Sequence, residues 1–170
     1  TCAGHILGSV SLALDVFGKR INVSGDVGRY DTPILPDPVP LEFGDLLLCE
    51  STYGDRVHAD VDYKAQLARV VRRAAEKNGP IIIPAFAVGR SQNILYYLAE
   101  LEREGRIPTL PVYVDSPMAI NATKIYRNFN HDYDEEATAI LEAGETPLST
   151  QNTFFCQSVK DSKKLNFLKG

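Results

Sequence analysis

The order of apolar and polar residues near the start of the chain predicts two strands. Residues 9–16 (SVSLALDV) alternate in part between apolar and polar side chains, and the pattern resumes over residues 21–26 (INVSGD). Alternation of this kind is typical of strands with one buried face. The intervening FGKR supplies a glycine-containing turn, so the two segments are predicted to form an antiparallel hairpin. The proline-rich residues 28–45 then predict an extended connection, because proline excludes regular helix and central strand.

Beyond this connection, short apolar runs alternate with segments of helical periodicity. LLLCE and IIIPAF are continuously apolar and predict strands buried on both faces, and PVYVDSP and TFFCQSV predict two further strands. Apolar residues recur at helical spacing in two segments that end at Gly79 and Gly105. A more polar helical stretch is predicted from about Ala119 to Ala143, and a last helix begins in KDSKKLNFLKG. The alternation predicts an α/β fold with a parallel sheet covered on both sides.

Composition narrows the functional classes. The 170 residues carry a net charge of −4, so the chain shows no basic footprint and any affinity for phosphate must be local. Cys2, Cys49 and Cys156 are widely spaced and form no C-x-x-C pair, which favours a reduced, cytoplasmic protein over a disulfide framework or a thiolate zinc site. No apolar run approaches the roughly 18 residues of a membrane span, so no membrane partner is expected.

Three residues that suit metal chemistry stand where predicted elements end. They are His5 in AGHILG, Asp26 in SGDVGR and Glu50 in CESTYGDR, each beside a turn rich in glycine, serine or threonine. An imidazole with carboxylates suits zinc or another divalent ion, although a catalytic zinc usually takes three protein ligands. Each carboxylate also has a structural alternative, because Asp26 is a common Asx-turn residue and Glu50 is placed to cap a helix.

Five segments, taken in order, resemble one family. AGHILGS, SGDVGR, ESTYGDR, IPAFAVGRSQNILYYL and VYVDSPMA are similar to the β-CASP group of metallo-β-lactamase-fold nucleases, which act in RNA 3′-end processing and as bacterial and archaeal RNases. The resemblance implies that residues 1–55 are part of a metallo-β-lactamase αββα domain, with the hairpin at its edge. Residues 56–170 would then form a parallel-sheet α/β β-CASP domain, truncated at its C-terminal end.

The resemblance also implies roles for the three residues. His5 would be a metal ligand, and Asp26 a catalytic carboxylate that bridges two zinc ions. Glu50 would be catalytic without touching metal, because in the family it pairs with a downstream histidine that assists protonation of the leaving group. The family's H-x-H-x-D-H cluster is expected before Thr1 and its later histidines after Gly170. The chain is therefore interpreted as an internal fragment that is inactive alone.

The intact protein is accordingly expected to be a zinc-dependent ribonuclease of RNA processing or decay. Arg90 and Ser91, at the start of a predicted helix, are candidates for binding an RNA phosphate, since helix N-termini and arginine favour anions. A surface salt bridge is the alternative for Arg90. RNA is the expected partner, and the resemblance allows a homodimer.

Two other functional classes stay open. One is a non-catalytic RNA-binding or scaffold protein of the β-CASP group with degraded metal motifs. The other is a nucleotide-binding α/β domain, because loops at the strand ends of βαβ units are common phosphate sites. The sequence contains neither G-x-G-x-x-G nor G-x-x-x-x-G-K-[ST], which disfavours the second class.

Overall fold

The computed structural model describes residues 1–59 and 61–167 and confirms an α/β architecture. The described residues fall into two compact units, which we call the first unit (up to residue 59, with 130–139) and the second unit (61–129 and 140–167). The predicted domain boundary after residue 55 stays a prediction. The strands are β1 (Leu12–Val16), β2 (Lys19–Val23), β3 (Leu46–Leu48), β4 (Val112–Val114) and β5 (Thr153–Phe155), and the helices are α1 (Tyr63–Glu76), α2 (Arg90–Arg103), α3 (Pro117–Asn128), α4 (Glu135–Glu142) and α5 (Val159–Leu165), with a 3-10 turn at Asn130–Asp132.

The first unit contains the predicted hairpin. β1 and β2 are antiparallel and joined at Phe17 and Gly18, whose φ angles of 51° and 75° are both positive. Two such residues make the tight turn whose twist matches that of the flanking strands. β2 also pairs with β3 in parallel, so the sheet has the order β1-β2-β3. The prediction of a hairpin here is confirmed.

Two predictions about buried strands are wrong. β3 pairs with β2 alone among the described strands, and its three leucines are 51–59% exposed because no described layer covers them. Residues 81–86 (IIIPAF) form no strand at all, and Ile82 and Phe86 are 89% and 85% exposed. Pro80 and Pro84 lack the amide hydrogens that a central strand must donate, which is the physical reason.

The second unit is organised around two helices whose apolar faces meet. The carboxylate of Asp62 accepts a hydrogen bond from the Ala65 amide at 2.8 Å and caps the start of α1. The Gly79 amide donates to the Ala74 carbonyl at 3.2 Å, closing the end of this helix where the sequence predicts it. No described helix has both the length and the apolar character needed to cross a membrane. One apolar cluster in the core of this unit contains Ala68, Val71, Leu98, Leu101 and Ile107.

The later part of the chain follows the predicted order with two differences. The single helical stretch predicted over 119–143 is divided into α3, the 3-10 turn and α4. β4 and β5 are parallel, but in the described part of the chain they form a sheet of two strands rather than the larger covered sheet expected. The helix predicted from KDSKKLNFLKG is present as α5, and residues 168–170 of that segment lie outside the described residues.

Candidate functional site

The sheet of the first unit brings three chain segments to one edge. β2 and β3 are parallel and pair their last residues, so the loops after both strands leave the sheet at the same edge. β1 is antiparallel, and its first residue pairs with the last residue of β2, so the segment before β1 reaches this edge as well. His5 lies in that segment, Asp26 follows β2 and Glu50 follows β3. All three predicted residues therefore belong to one edge, which we call the strand-end edge.

The loops that carry His5 and Asp26 touch through their backbones. The Gly28 amide donates to the Ala3 carbonyl at 2.7 Å. A Cβ atom at Gly28 would overlap the Gly4 carbonyl and lie 2.7 Å from the His5 nitrogen. Only glycine permits so close an approach, so this position joins the two loops.

Glu50 holds the Asp26 loop by its carboxylate. The Val27 amide donates to Oε1 of Glu50 at 2.9 Å, and the Thr52 amide donates to Oε2 at 3.2 Å. The hydrogen bond from Val27, those from Thr52 and the nearby His5 charge hold the pKa of the Glu50 carboxyl below its usual range. Glu50 is therefore an anion at neutral pH. Residues 51–59, which follow it directly, contain no helix, so the helix-capping alternative is wrong.

Two buried serines that the sequence analysis did not single out support the same edge. The Oγ atom of Ser24 accepts from the Glu50 amide at 3.0 Å and donates to the Gly25 carbonyl at 2.6 Å. The hydroxyl of Ser11 donates to the Ser24 carbonyl at 2.6 Å. Small hydroxyl residues directly beside strand ends are the available signal, because such side chains bond to nearby backbone groups.

The donor atoms at this edge fit a divalent metal in type but not in number. The side chains of His5 and Asp26 are exposed and offer an imidazole nitrogen and carboxylate oxygens, which zinc accepts. Within residues 1–59 and 61–167, however, no three His, Cys, Asp or Glu side chains are grouped to hold a metal ion. With the Glu50 oxygens bonded to backbone amides, these residues supply two candidate ligands, fewer than the three of a catalytic zinc.

Arg90 and Ser91 lie in the second unit, at the start of α2. The Ser91 hydroxyl and amide both donate to the Phe86 carbonyl, at 2.7 and 3.1 Å, so this serine closes the turn that leads into the helix. Gly89 precedes the helix with a φ of 76° and contributes no side-chain cap. Arg90 is exposed and forms no ion pair with a described acidic residue. Its guanidinium is free to bind an anion, whereas the Ser91 hydroxyl has a structural partner.

Comparison with known proteins finds one matching domain family and several relatives. Residues 91–170 match the Beta-Casp domain family. Ribonuclease TTHA0252 of Thermus thermophilus is 33% identical over 165 residues, which cover 96% of this chain and 38% of that protein. An RNase J-like protein of Methanocaldococcus jannaschii is 37% identical, over 75% of this chain and 31% of that protein.

A eukaryotic protein is similar to this chain as well. Cleavage and polyadenylation specificity factor 73 of Drosophila melanogaster is 30% identical over 130 residues, covering 75% of this chain and 19% of that protein. The chain thus spans less than two fifths of the length of each of these three relatives.

Proposed function

Because this chain belongs to the β-CASP family, we propose that the protein carrying it hydrolyses phosphodiester bonds of RNA. The observation that supports the proposal is the strand-end edge, where His5, Asp26 and Glu50 stand together. Ribonucleases are among the relatives that align with nearly the whole chain. The reaction class is therefore metal-assisted hydrolysis.

We propose zinc, as two ions, for the metal of the intact protein. His5 would contribute a ring nitrogen and Asp26 its carboxylate, with the remaining ligands supplied by parts of the protein outside this chain. When bound, such ions supply an activated water and stabilise charge on phosphate oxygens. Because the described residues offer only two candidate ligands at this edge, we expect this chain to cleave no RNA by itself.

We propose that Glu50 positions the loop of Asp26, and its predicted catalytic role stays a prediction. Its two oxygens bond to backbone amides of Val27 and Thr52, so it fixes the loop that presents Asp26. We propose Arg90 as a contact for an RNA phosphate, since it is exposed and arginine binds phosphate with paired hydrogen bonds.

The test is Asp26→Ala in the full-length protein. We expect kcat/KM for single-stranded RNA to fall more than about 100-fold, because changes to residues that merely support a metal ligand already cost 10–100-fold. Bound zinc, measured by elemental analysis, should fall in parallel while the thermal unfolding temperature is retained. Asp15→Ala is the matched control, an exposed carboxylate near the hairpin turn. Unchanged cleavage by Asp26→Ala would contradict the proposal.

A non-catalytic RNA-binding protein is the second candidate. It requires no metal ligands and would use exposed contacts such as Arg90. The same experiment separates the two candidates. If the full-length parent protein, supplied with zinc, binds RNA as tightly as Asp26→Ala does but cleaves none, it belongs to the second class. A cytoplasmic location and a homodimer stay predictions.

A further inference from the structure

A small groove in the second unit lies between α3 and the end of β5. It encloses a cavity of about 60 Å³. One site for a water molecule needs about 10–15 Å³, so the groove has room for roughly four such groups, about the size of a phosphate. The lining residues are Ile120, Thr123, Lys124, Arg127, Phe155 and Gln157, and none of them is acidic.

Two of these residues are exposed cations. Lys124 and Arg127 stand one helical turn apart on α3, so their side chains emerge from the same face. Neither forms an ion pair with an acidic residue in the part of the chain that the structure describes. Of the 17 lysines and arginines in the described residues, seven form such an ion pair, among them Lys19 and Lys164. The pair therefore forms a local positive patch on a chain of net negative charge.

The guanidinium of Arg127 is held in place by two contacts. Its Nη2 atom donates to the Leu148 carbonyl at 3.2 Å, and its central carbon lies 5.3 Å from the centroid of the Phe155 ring. A cation over an aromatic face is attracted by the ring, which fixes the plane of the guanidinium. The remaining N–H groups of Arg127 are left to bind a ligand. A preformed donor loses less entropy on binding than a mobile one.

The floor of the groove is rigid as well. The buried amide of Gln92 donates to the Thr123 hydroxyl at 2.9 Å, and that hydroxyl donates to the Ala119 carbonyl at 2.8 Å. Gln92 and Thr123 are both almost fully buried, so this network connects α2 to α3 beneath the groove. The spacing of Lys124 and Arg127 is thereby set by packed secondary structure and not by a loop.

We propose that this groove binds a phosphate group of a single-stranded RNA, with Lys124 and Arg127 as the charged contacts and Gln157 as a polar one. The proposal rests on the proposed function for its choice of RNA as the source of the phosphate. Arginine and lysine without acidic partners are the usual phosphate contacts of nucleic-acid-binding proteins, and they give affinity without reading sequence. The groove would thus hold the sugar–phosphate backbone of the RNA in a fixed position on the protein.

The experiment measures binding, not cleavage, in the full-length protein carrying the Asp26→Ala change. A fluorescein-labelled ten-nucleotide uridine RNA is titrated by anisotropy against this protein and against the same protein with Lys124→Gln. We expect Lys124→Gln to weaken binding about five- to tenfold at low salt, and to lower the slope of log K against log[salt] by about 0.7 for the lost phosphate contact. Arg127→Gln should act in the same direction, and its unfolding temperature is measured because it loses the Leu148 contact.

The matched control is Arg69→Gln, an exposed arginine on α1 that removes the same charge. Equal weakening by Arg69→Gln and Lys124→Gln would mean that only total charge matters and would overturn the proposal, as would unchanged binding in Lys124→Gln. Inorganic phosphate and uridine monophosphate are titrated as competitors. If millimolar phosphate binds at Lys124 while the RNA affinity is insensitive to that residue, the groove takes a free phosphate, and RNA as its source is wrong.

The result of this binding experiment can be distinguished from the result of the test of the proposed function. If the full-length protein binds RNA through Lys124 but does not cleave it, the groove proposal is supported and the proposed hydrolysis is contradicted. If the protein cleaves RNA with zinc but binds RNA equally well after Lys124→Gln, only the groove proposal is contradicted.

Discussion

The two units of this chain are stabilised in different ways. In the first unit, Asn22 is the one buried residue in the three strands, and leucines of β1 and β3 are exposed. Its strand-end edge is held by hydrogen bonds between loops and by backbones in contact. In the second unit, α1 and α2 bury a continuous apolar cluster. Hydrogen bonds and close backbone contacts thus order the candidate site, whereas apolar burial orders α1 and α2.

This difference determines where each unit is sensitive to substitution. An apolar core loses stability in proportion to the volume removed, because the surrounding side chains relax only in part. A set of touching loops is instead sensitive to added atoms and to lost hydrogen-bond acceptors. Opposite kinds of substitution should therefore damage the strand-end edge and the cluster between α1 and α2.

The largest effect is expected for Leu101→Ala in α2. Leu101 is fully buried in the apolar cluster, so the cavity should lower the free energy of unfolding by about 3 kcal/mol, within the 2–5 kcal/mol usual for such changes. Urea denaturation measures it. Val70→Ala, on the exposed side of α1, is the control and should cost less than about 1 kcal/mol. Similar losses for the two variants would show that the cluster is not the source of stability.

A smaller loss is expected for Gly28→Ala in the first unit. The added Cβ must displace the Gly4 carbonyl, so we expect about 2–3 kcal/mol, the upper part of the range for overpacking. Gly79→Ala adds the same atom where no neighbour lies within 4 Å and should be close to neutral. Thermal unfolding of both variants makes the comparison. If Gly28→Ala is as stable as Gly79→Ala, the close approach of the two loops is wrong.

The smallest effect concerns the pH dependence of the Glu50 contacts. The folded pKa of Glu50 lies below its ordinary value of 4.5, so its contribution to stability is present above pH 4.5 and is lost as the pH falls through the folded pKa. Glu50→Gln should therefore be less stable than the parent at pH 7, and the difference should shrink on acidification below 4.5. Unfolding free energies of both proteins across pH 3–7 test this. A difference that is independent of pH would contradict it.

The sequence was sufficient for the elements whose signals are local. α1, α2 and the hairpin follow from periodicity and glycine positions, and the order of His5, Asp26 and Glu50 along the chain was apparent. The exposure of β3 and the absence of a strand at 81–86 could not be predicted, since the burial of an apolar segment depends on which other segments pack on it. The approach of Gly28 to Gly4 joins distant parts of the chain, and no short window of sequence contains both. Likewise, the amides that bind Glu50 are identified only once the strands are paired.

The bonds that Glu50 accepts have an implication for how this protein tolerates variation. The partner at Val27 is a main-chain amide, which every residue except proline provides, whereas Thr52 contributes both its amide and its side chain. The identity of the side chain at 27 is therefore free to vary while the loops keep their separation, but that at 52 is not. Position 50 has no such freedom, because it alone supplies two acceptor oxygens of that reach.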